Sequence, residues 1–196
     1  MTVFGLTGNI GSGKSTVGRI LAEAGFFHID ADQVGHFVVE PGQPANKKLQ
    51  KIFGMDFFDA EERLQRKKLG AYVFSNKEAL QQLNSVTHPA INDEIIKRIT
   101  ESQKCEPNRH IVLEAALLLE AGMESLVESV ILVAAADDIR LRRVMERDGL
   151  SEKLVKDRMN NQMSQQKKAE KAAYVIENNG DLQDLRQAAA EFLKLI

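Results

Sequence analysis

Apolar positions follow two rhythms along this chain. Residues 2–7, TVFGLT, crowd Val3, Phe4 and Leu6 into a run of strand length. Val17, Ile20, Leu21 and Ala24 then return at the spacing of one helix face, and Gly25 stops that run where a C′ glycine ends a helix. FFHID, residues 26–30, predicts a second short strand that closes on Asp30 and, past Ala31, Asp32. Residues 33–104 read as helical and polar, broken at Pro41, Gly42 and Pro44 and again around Gly54 to Asp59. Ser75-Asn76-Lys77-Glu78 has capping-box spacing and predicts a helix start with Ala79, Leu80 and Leu83 on one side. Thr87-His88-Pro89 predicts its interruption, because a residue before proline is pushed out of the helical region. A further helix over 90–103 carries Ile91, Ile95 and Ile99.

β-branched runs then reappear at 111–113, 130–133 and 174–176, with helices expected over 138–147 and 152–164. A final helix behind Asp181 as N-cap carries Leu182, Leu185, Ala189, Phe192 and Ile196 at helical spacing. Strands alternating with helices predict an α/β fold, a parallel sheet flanked by helices on both faces. The helical block 33–104 fits as an insertion between the second and third strands.

Composition narrows the function classes. The chain has 196 residues, one domain's worth, and 43% are apolar, enough for a core. Twenty-six basic side chains against twenty-eight acidic ones leave a net charge of −2, so no global field favours nucleic acid or an anionic membrane. The lone Cys105 forms no internal disulfide, and no apolar run approaches the ~20 residues of a membrane span. The expectation is a soluble, cytoplasmic protein without a leader segment, with no nucleic-acid or membrane partner, and a monomer.

Candidate chemistry begins between the first strand and the first helix, where residues 8–16 read GNIGSGKST. Gly8, four residues, then Gly13-Lys14-Ser15 is the phosphate-binding loop spacing: inward-pointing backbone N–H groups at a helix N-terminus make an anion site. Gly11, Ser12, Gly13, Lys14, Ser15 and Thr16 would hold the β- and γ-phosphates of a nucleotide, Lys14 would neutralise them, and Ser15 would offer its hydroxyl to Mg²⁺. Glu114, at the end of the third strand, is the carboxylate expected to reach the same ion, with Glu120 a second candidate. Asp30 and Asp32 stand where ligands sit in such sheets, beyond the strand ends, so a carboxylate there can take a proton from an attacking hydroxyl; equally, one of them can simply cap the next helix. Arg140, Arg143 and Arg147 recur at i, i+3 and i+7, either as a lid closing on a transferring phosphoryl group or as a solvated face paired with Asp137, Asp138, Glu146 and Asp148. His28, His36 and His110 have no partner at metal-ligand spacing and are expected to be structural. His88 is either a ligand contact or a helix-break residue.

In chain order, GLTGNIGSGKSTV, IDAD, VVEPG, the LQR at 64–66, the VTHP at 86–89, the arginines of RRVMERD and the tail VIENNG resemble the dephospho-coenzyme A kinase family over essentially the whole length. These are P-loop kinases of the nucleoside monophosphate kinase type. The resemblance implies a three-layer P-loop kinase fold with core 1–32, 105–136 and 172–196, a helical coenzyme-binding insertion at about 33–104 and a helical lid at about 137–171. It implies ATP and Mg²⁺ as cofactors, dephospho-coenzyme A as acceptor, and the last step of coenzyme A biosynthesis as the reaction. Asp32 matches the family's general base, and Arg143 and Arg147 match lid arginines that act with Lys14 in catalysis. Arg66, His88, Pro89 and Arg140 fall to the acceptor, and Asn178, Asn179 and Gly180 to the adenine edge of ATP. Two departures stand out. The family's usual Asp-x-Pro-Leu-Leu-Phe-Glu is here Glu114-Ala115-Ala116-Leu117-Leu118-Leu119-Glu120, and Ala173 replaces a common aspartate. A kinase of another small molecule is one rival. A GTP-dependent switch is the other: Asp32-Gln33-Val34-Gly35 fits its DxxG pattern, but its NKxD is missing, since Asn46-Lys47 and Asn76-Lys77 lack the following Asp.

Overall fold

The computed structural model describes residues 1–196 and contains two compact units, residues 1–30 with 102–196 and residues 31–101. The first is built on five parallel strands, β1 (Val3–Thr7), β2 (Phe27–Asp30), β3 (Ile111–Glu114), β4 (Ser129–Ala134) and β5 (Tyr174–Glu177), in the order β2-β3-β1-β4-β5. β1 is central, fully buried and purely apolar but for Thr7, which is why its residues run together instead of alternating. The sequence expectation started β1 and β2 one residue early.

One face of the sheet is covered by α1 (Lys14–Glu23) and α9 (Leu182–Leu193), whose Val17, Ile20, Leu21, Leu185, Ala189 and Phe192 pack with Phe4, Leu6, Val112, Ile131, Val133 and Ile176. Phe4 is the hub, in ring contact with Phe26, His110, Tyr174 and Phe192. His110 is thus a core histidine, and its Nδ1 accepts the Thr2 N–H at 3.2 Å. α1 ends as predicted: Gly25 has φ 101°, its N–H bonds Ala22 O at 3.0 Å and the Phe26 N–H bonds Leu21 O at 3.1 Å, a Schellman pair. α9 begins as predicted too, with the Asp181 carboxylate accepting from the N–H groups of Gln183 and Asp184. The remaining helices of this unit are α6 (Asp137–Asp148), α7 (Glu152–Asn160) and α8 (Gln165–Ala169), so the helix expected over 152–164 ends four residues early, at Asn160.

The second unit holds α2 (Ala31–Phe37), α3 (Pro44–Phe53) and α4 (Arg66–Ser75), then α5 (Lys77–Cys105), which continues past residue 101. Its small core joins Leu69, Val73 and Ala79 to Phe53, Phe57, Leu64, Leu80 and Leu83. Two expectations fail here. The cap of α5 is Asn76, whose Oδ1 accepts the N–H groups of Glu78 and Ala79 at 3.1 Å, while Ser75 belongs to α4 and its hydroxyl donates to Tyr72 O at 2.9 Å. Nor does α5 break at Pro89: it runs through as one helix. Proline removes the partner of the Ser85 carbonyl, but Ser85 is exposed and water can replace it, while Ile95 and Ile99 anchor the later turns.

Candidate active site

The loop between β1 and α1 is shaped by its glycines. Gly11 (φ 80°) and Gly13 (φ 91°) occupy the left-handed region, and each is also pressed by a neighbour: a Cβ on Gly11 would lie 2.6 Å from Arg140 O, and one on Gly13 would run into Asn178 Nδ2. The loop is braced from outside. Asn178 Nδ2 donates to Ser12 O at 2.7 Å, Gln162 Oε1 accepts the Ile10 N–H at 2.8 Å, and Asn9 Nδ2 donates to Met163 O at 2.8 Å. α1 then starts at Lys14, so its unpaired N–H groups open toward the loop.

Glu114 gathers the charged side chains. It ends β3 only 2% exposed, with Oε1 2.5 Å from Lys14 Nζ and 2.6 Å from Ser15 Oγ, and Oε2 2.8 Å from His28 Nε2. Burial pushes its pKa up, but the hydrogen bonds from His28, Lys14 and Ser15 and the charge of Lys14 outweigh that and hold it down to about 2. A carboxyl depressed in the folded state stabilises it above the unfolded value of 4.5, and that stabilisation is lost as pH falls through about 2. Glu114→Gln should therefore lower the unfolding free energy at pH 7 by on the order of 3 kcal/mol, with the gap closing between pH ~4.5 and ~2. Urea titrations of both proteins across that range check it; a gap independent of pH would contradict it. The pair of oxygens presented by Ser15 and Glu114 suits Mg²⁺, which usually takes one or two protein oxygens and completes its shell with phosphates and water. No trio of His, Cys, Asp or Glu side chains makes an all-protein metal cage.

In the helical unit Asp32 and Arg66 line one cavity of about 640 Å³. Its other walls are mostly apolar, among them Val39, Leu69, Leu83 and Ile91. Arg66 is anchored by a hydrogen bond from Nη2 to His36 O at 3.0 Å.

Comparison with known proteins bears directly on this arrangement. A family model described as dephospho-CoA kinase matches residues 2–184. A dephospho-CoA kinase from Corynebacterium diphtheriae is 41% identical over 191 residues, 97% of this chain and 95% of that one, and one from Carboxydothermus hydrogenoformans is 40% identical over 194 residues, 99% and 94%. The chain belongs to the dephospho-CoA kinase family. Among solved structures, dephospho-CoA kinase from Campylobacter jejuni superposes with a TM-score of 0.76 at 31% identity, covering 98% of this chain and 95% of that one. TT1252 from Thermus thermophilus gives 0.84 at 34%, covering 100% and 97%. Shikimate kinase from Acinetobacter baumannii, 18% identical with a TM-score of 0.58 over 100% of this chain and 92% of that one, shares the P-loop kinase fold.

Several residues of this dephospho-CoA kinase family member lie elsewhere than sequence reasoning placed them. The arginines of α6 do not form one cluster. Arg140 is 4% exposed, ion-paired to Asp137 at 2.6 Å and donating to Ile10 O at 3.4 Å, so it braces the phosphate loop and does not line the cavity of Asp32 and Arg66. Arg143 donates to Asn178 O at 2.9 Å and Gly180 O at 2.8 Å, pinning the turn that in turn holds Ser12. Of the three, Arg147 is the one at the surface, clasping Asp148 at 2.7 Å. Asn178 is itself buried, its amide committed to Ser12 and Arg143, which leaves only the exposed Asn179 and Gly180 to meet a nucleotide from that turn. His88 and Pro89 are exposed and do not line the cavity of Asp32 and Arg66; Asn84, Thr87 and Ile91 supply the lining from that part of α5. Glu120 pairs with Lys168 at 3.0 Å, not with Glu114's partners. Asp32-Gln33-Val34-Gly35 lies inside α2, a helix, not in a switch loop.

Three residues that matter were missed. Lys168 is fully buried, its Nζ shared between Ala116 O at 2.8 Å and Glu120, yet in sequence it is one lysine of a pair in a polar helix. Gln162 carries no signal distinguishing it from a surface glutamine. His28 was expected to be structural, although its place two residues before Asp30 put it on the face of β2 where Glu114 also points, since Asp30 and Glu114 are register partners.

Proposed function

We propose that this chain transfers the γ-phosphoryl group of ATP to the ribose 3′-hydroxyl of dephospho-coenzyme A, giving coenzyme A and ADP, the last step of coenzyme A biosynthesis. The observation that carries the reading is the phosphate loop with Lys14, Ser15 and Glu114 converging beside it, in a chain of this family. Backbone N–H groups from Gly11 to Thr16 hold the β- and γ-phosphates, and Lys14 leaves Glu114 to neutralise them. Ser15 and Glu114 would hold Mg²⁺, which would supply positive charge against the phosphoryl oxygens. The acceptor enters the cavity of the helical unit, where Arg66 offers a fork suited to a phosphate and the apolar walls suit the uncharged arm of a coenzyme. The 3′-oxygen forms a bond to the γ-phosphorus as the bond to the ADP oxygen breaks, and Asp32 takes the hydroxyl proton. Residues 137–171 act as the lid, with Arg147 free to swing from Asp148 to the phosphates and exclude water.

ADP release from ATP, measured with and without dephospho-coenzyme A, tests the reading. Acceptor-dependent release is expected; release that ignores the acceptor, or that another alcohol supports better, overturns it. Within this reading Arg66→Ala should raise the KM for dephospho-coenzyme A about 10–100-fold, the worth of a lost charge-assisted contact, with the KM for ATP little changed. His88→Ala, exposed and outside the lining of that cavity, should leave both constants alone. Equal losses toward both substrates in Arg66→Ala would point to a folding defect.

A further inference from the structure

We infer that His28 is a positioning residue for Glu114. The inference rests on reading Glu114 as the carboxylate that serves Mg²⁺.

Glu114 is held from two sides. Lys14 and Ser15 take Oε1, and His28 alone among the side chains bonded to it takes Oε2, at 2.8 Å. These anchors behave differently during a catalytic cycle. Lys14 carries the charge that a polyphosphate needs, so nucleotide binding draws its ammonium away from the carboxylate, and Ser15 turns its oxygen to the same metal. What remains to fix the carboxylate is the imidazole, rooted in β2 one strand away from β3. A ring N–H on one oxygen leaves the other aimed at Ser15, and this is how groups behind a ligand set its orientation.

The backbone of α1 is shaped around this pair. Gly18 lies one turn beyond Lys14, fully helical and buried, so its lack of a side chain answers no conformational need and weakens the helix. A Cβ there would collide with Glu114 Oε2 and lie 3.0 Å from His28 Nε2. The helix has a gap where the hydrogen bond passes. The gap at Gly18 and the anchor at His28 together leave the Glu114 carboxylate one position.

The test is equilibrium binding of ATP as a function of Mg²⁺ concentration, without acceptor, alongside steady-state kinetics. His28→Ala should raise the Mg²⁺ needed for half-maximal ATP binding about 10-fold or more, the usual cost of losing such a partner, and should lower kcat with little change in the KM for dephospho-coenzyme A. His28→Gln, whose amide N–H reaches the same point, should stay within about threefold of the wild type. Gly18→Ala should shift the Mg²⁺ requirement in the direction of His28→Ala. Thermal midpoints and dephospho-coenzyme A binding report whether each variant is folded. If Glu114→Ala shifts the Mg²⁺ requirement and His28→Ala does not, the role of His28 is refuted while the reading of Glu114 survives. If neither shifts it, the reading of Glu114 itself is wrong. Equal losses in His28→Gln and His28→Ala would refute positioning through the hydrogen bond.

Discussion

Asp32→Asn is expected to lower kcat ~10²–10⁴-fold while both substrates still bind, because the amide keeps the size and hydrogen-bonding shape of the carboxylate and loses only its basicity. The competing explanation of Asp32, that it caps a helix, is weakened by where the helix starts. α2 begins at Ala31, so the N-cap position falls on Asp30 and Asp32 lies inside the first turn. There its charge is worth at most ~1 kcal/mol against the helix dipole, and an asparagine would cost no more than that. Asp32 also lines the same cavity as Arg66, the residue given to the acceptor. Asp30→Asn is the control and should be the milder variant. Because phosphoryl transfer has a loose transition state, the proton can leave late; the loss in kcat would then be modest and the acidic limb of the pH profile would persist. A full-rate Asp32→Asn enzyme would remove Asp32 from the chemistry.

Features written in a few neighbouring residues were legible in the sequence. The glycine and lysine spacing of the phosphate loop, the Schellman ending at Gly25 and the cap at Asp181 each involve residues within one turn of each other, and each stands where its local pattern put it. Pro89 shows the limit of local rules. Proline costs a helix interior ~3 kcal/mol, but a long helix anchored by Ile95 and Ile99 and exposed at Ser85 absorbs that cost. The arginines of α6 show a second limit. Their spacing put them on one face, but only the local pairs, Arg140 with Asp137 and Arg147 with Asp148, could be read from it; the contacts of Arg140 with Ile10 O and of Arg143 with the 178–180 turn join segments 35–130 residues apart. Lys168 was invisible for the same reason, a buried, fully partnered cation that looks ordinary until α8 lies beside Ala116 and Glu120, whereas His28 needed only the pairing of β2 with β3.

Lys14→Ala is the other variant expected to act strongly, and on both terms at once: a phosphate-neutralising cation serves ground state and transition state together, so ATP affinity and kcat should both fall, kcat by on the order of 10²–10³-fold. The structure adds a consequence for the free protein. Lys14 is the cation closest to Glu114, and removing it leaves a carboxylate that is 2% exposed with only Ser15 and His28 as partners. Stranding one member of a buried pair is destabilising, so part of the apparent loss could come from unfolding. Two measurements separate the contributions. The midpoint of thermal unfolding reports the stranded carboxylate, and the double variant Lys14→Ala with Glu114→Gln should recover much of that stability because it removes the uncompensated charge. It should recover no turnover, since neither substitution returns a cation to the phosphates. Dephospho-coenzyme A, whose site we propose in the helical unit, should retain its affinity in the single variant at temperatures below its midpoint. Near-normal turnover in folded Lys14→Ala would take the loop out of the mechanism, and a double variant that regained activity would show that Lys14 acts through Glu114 and not on the nucleotide.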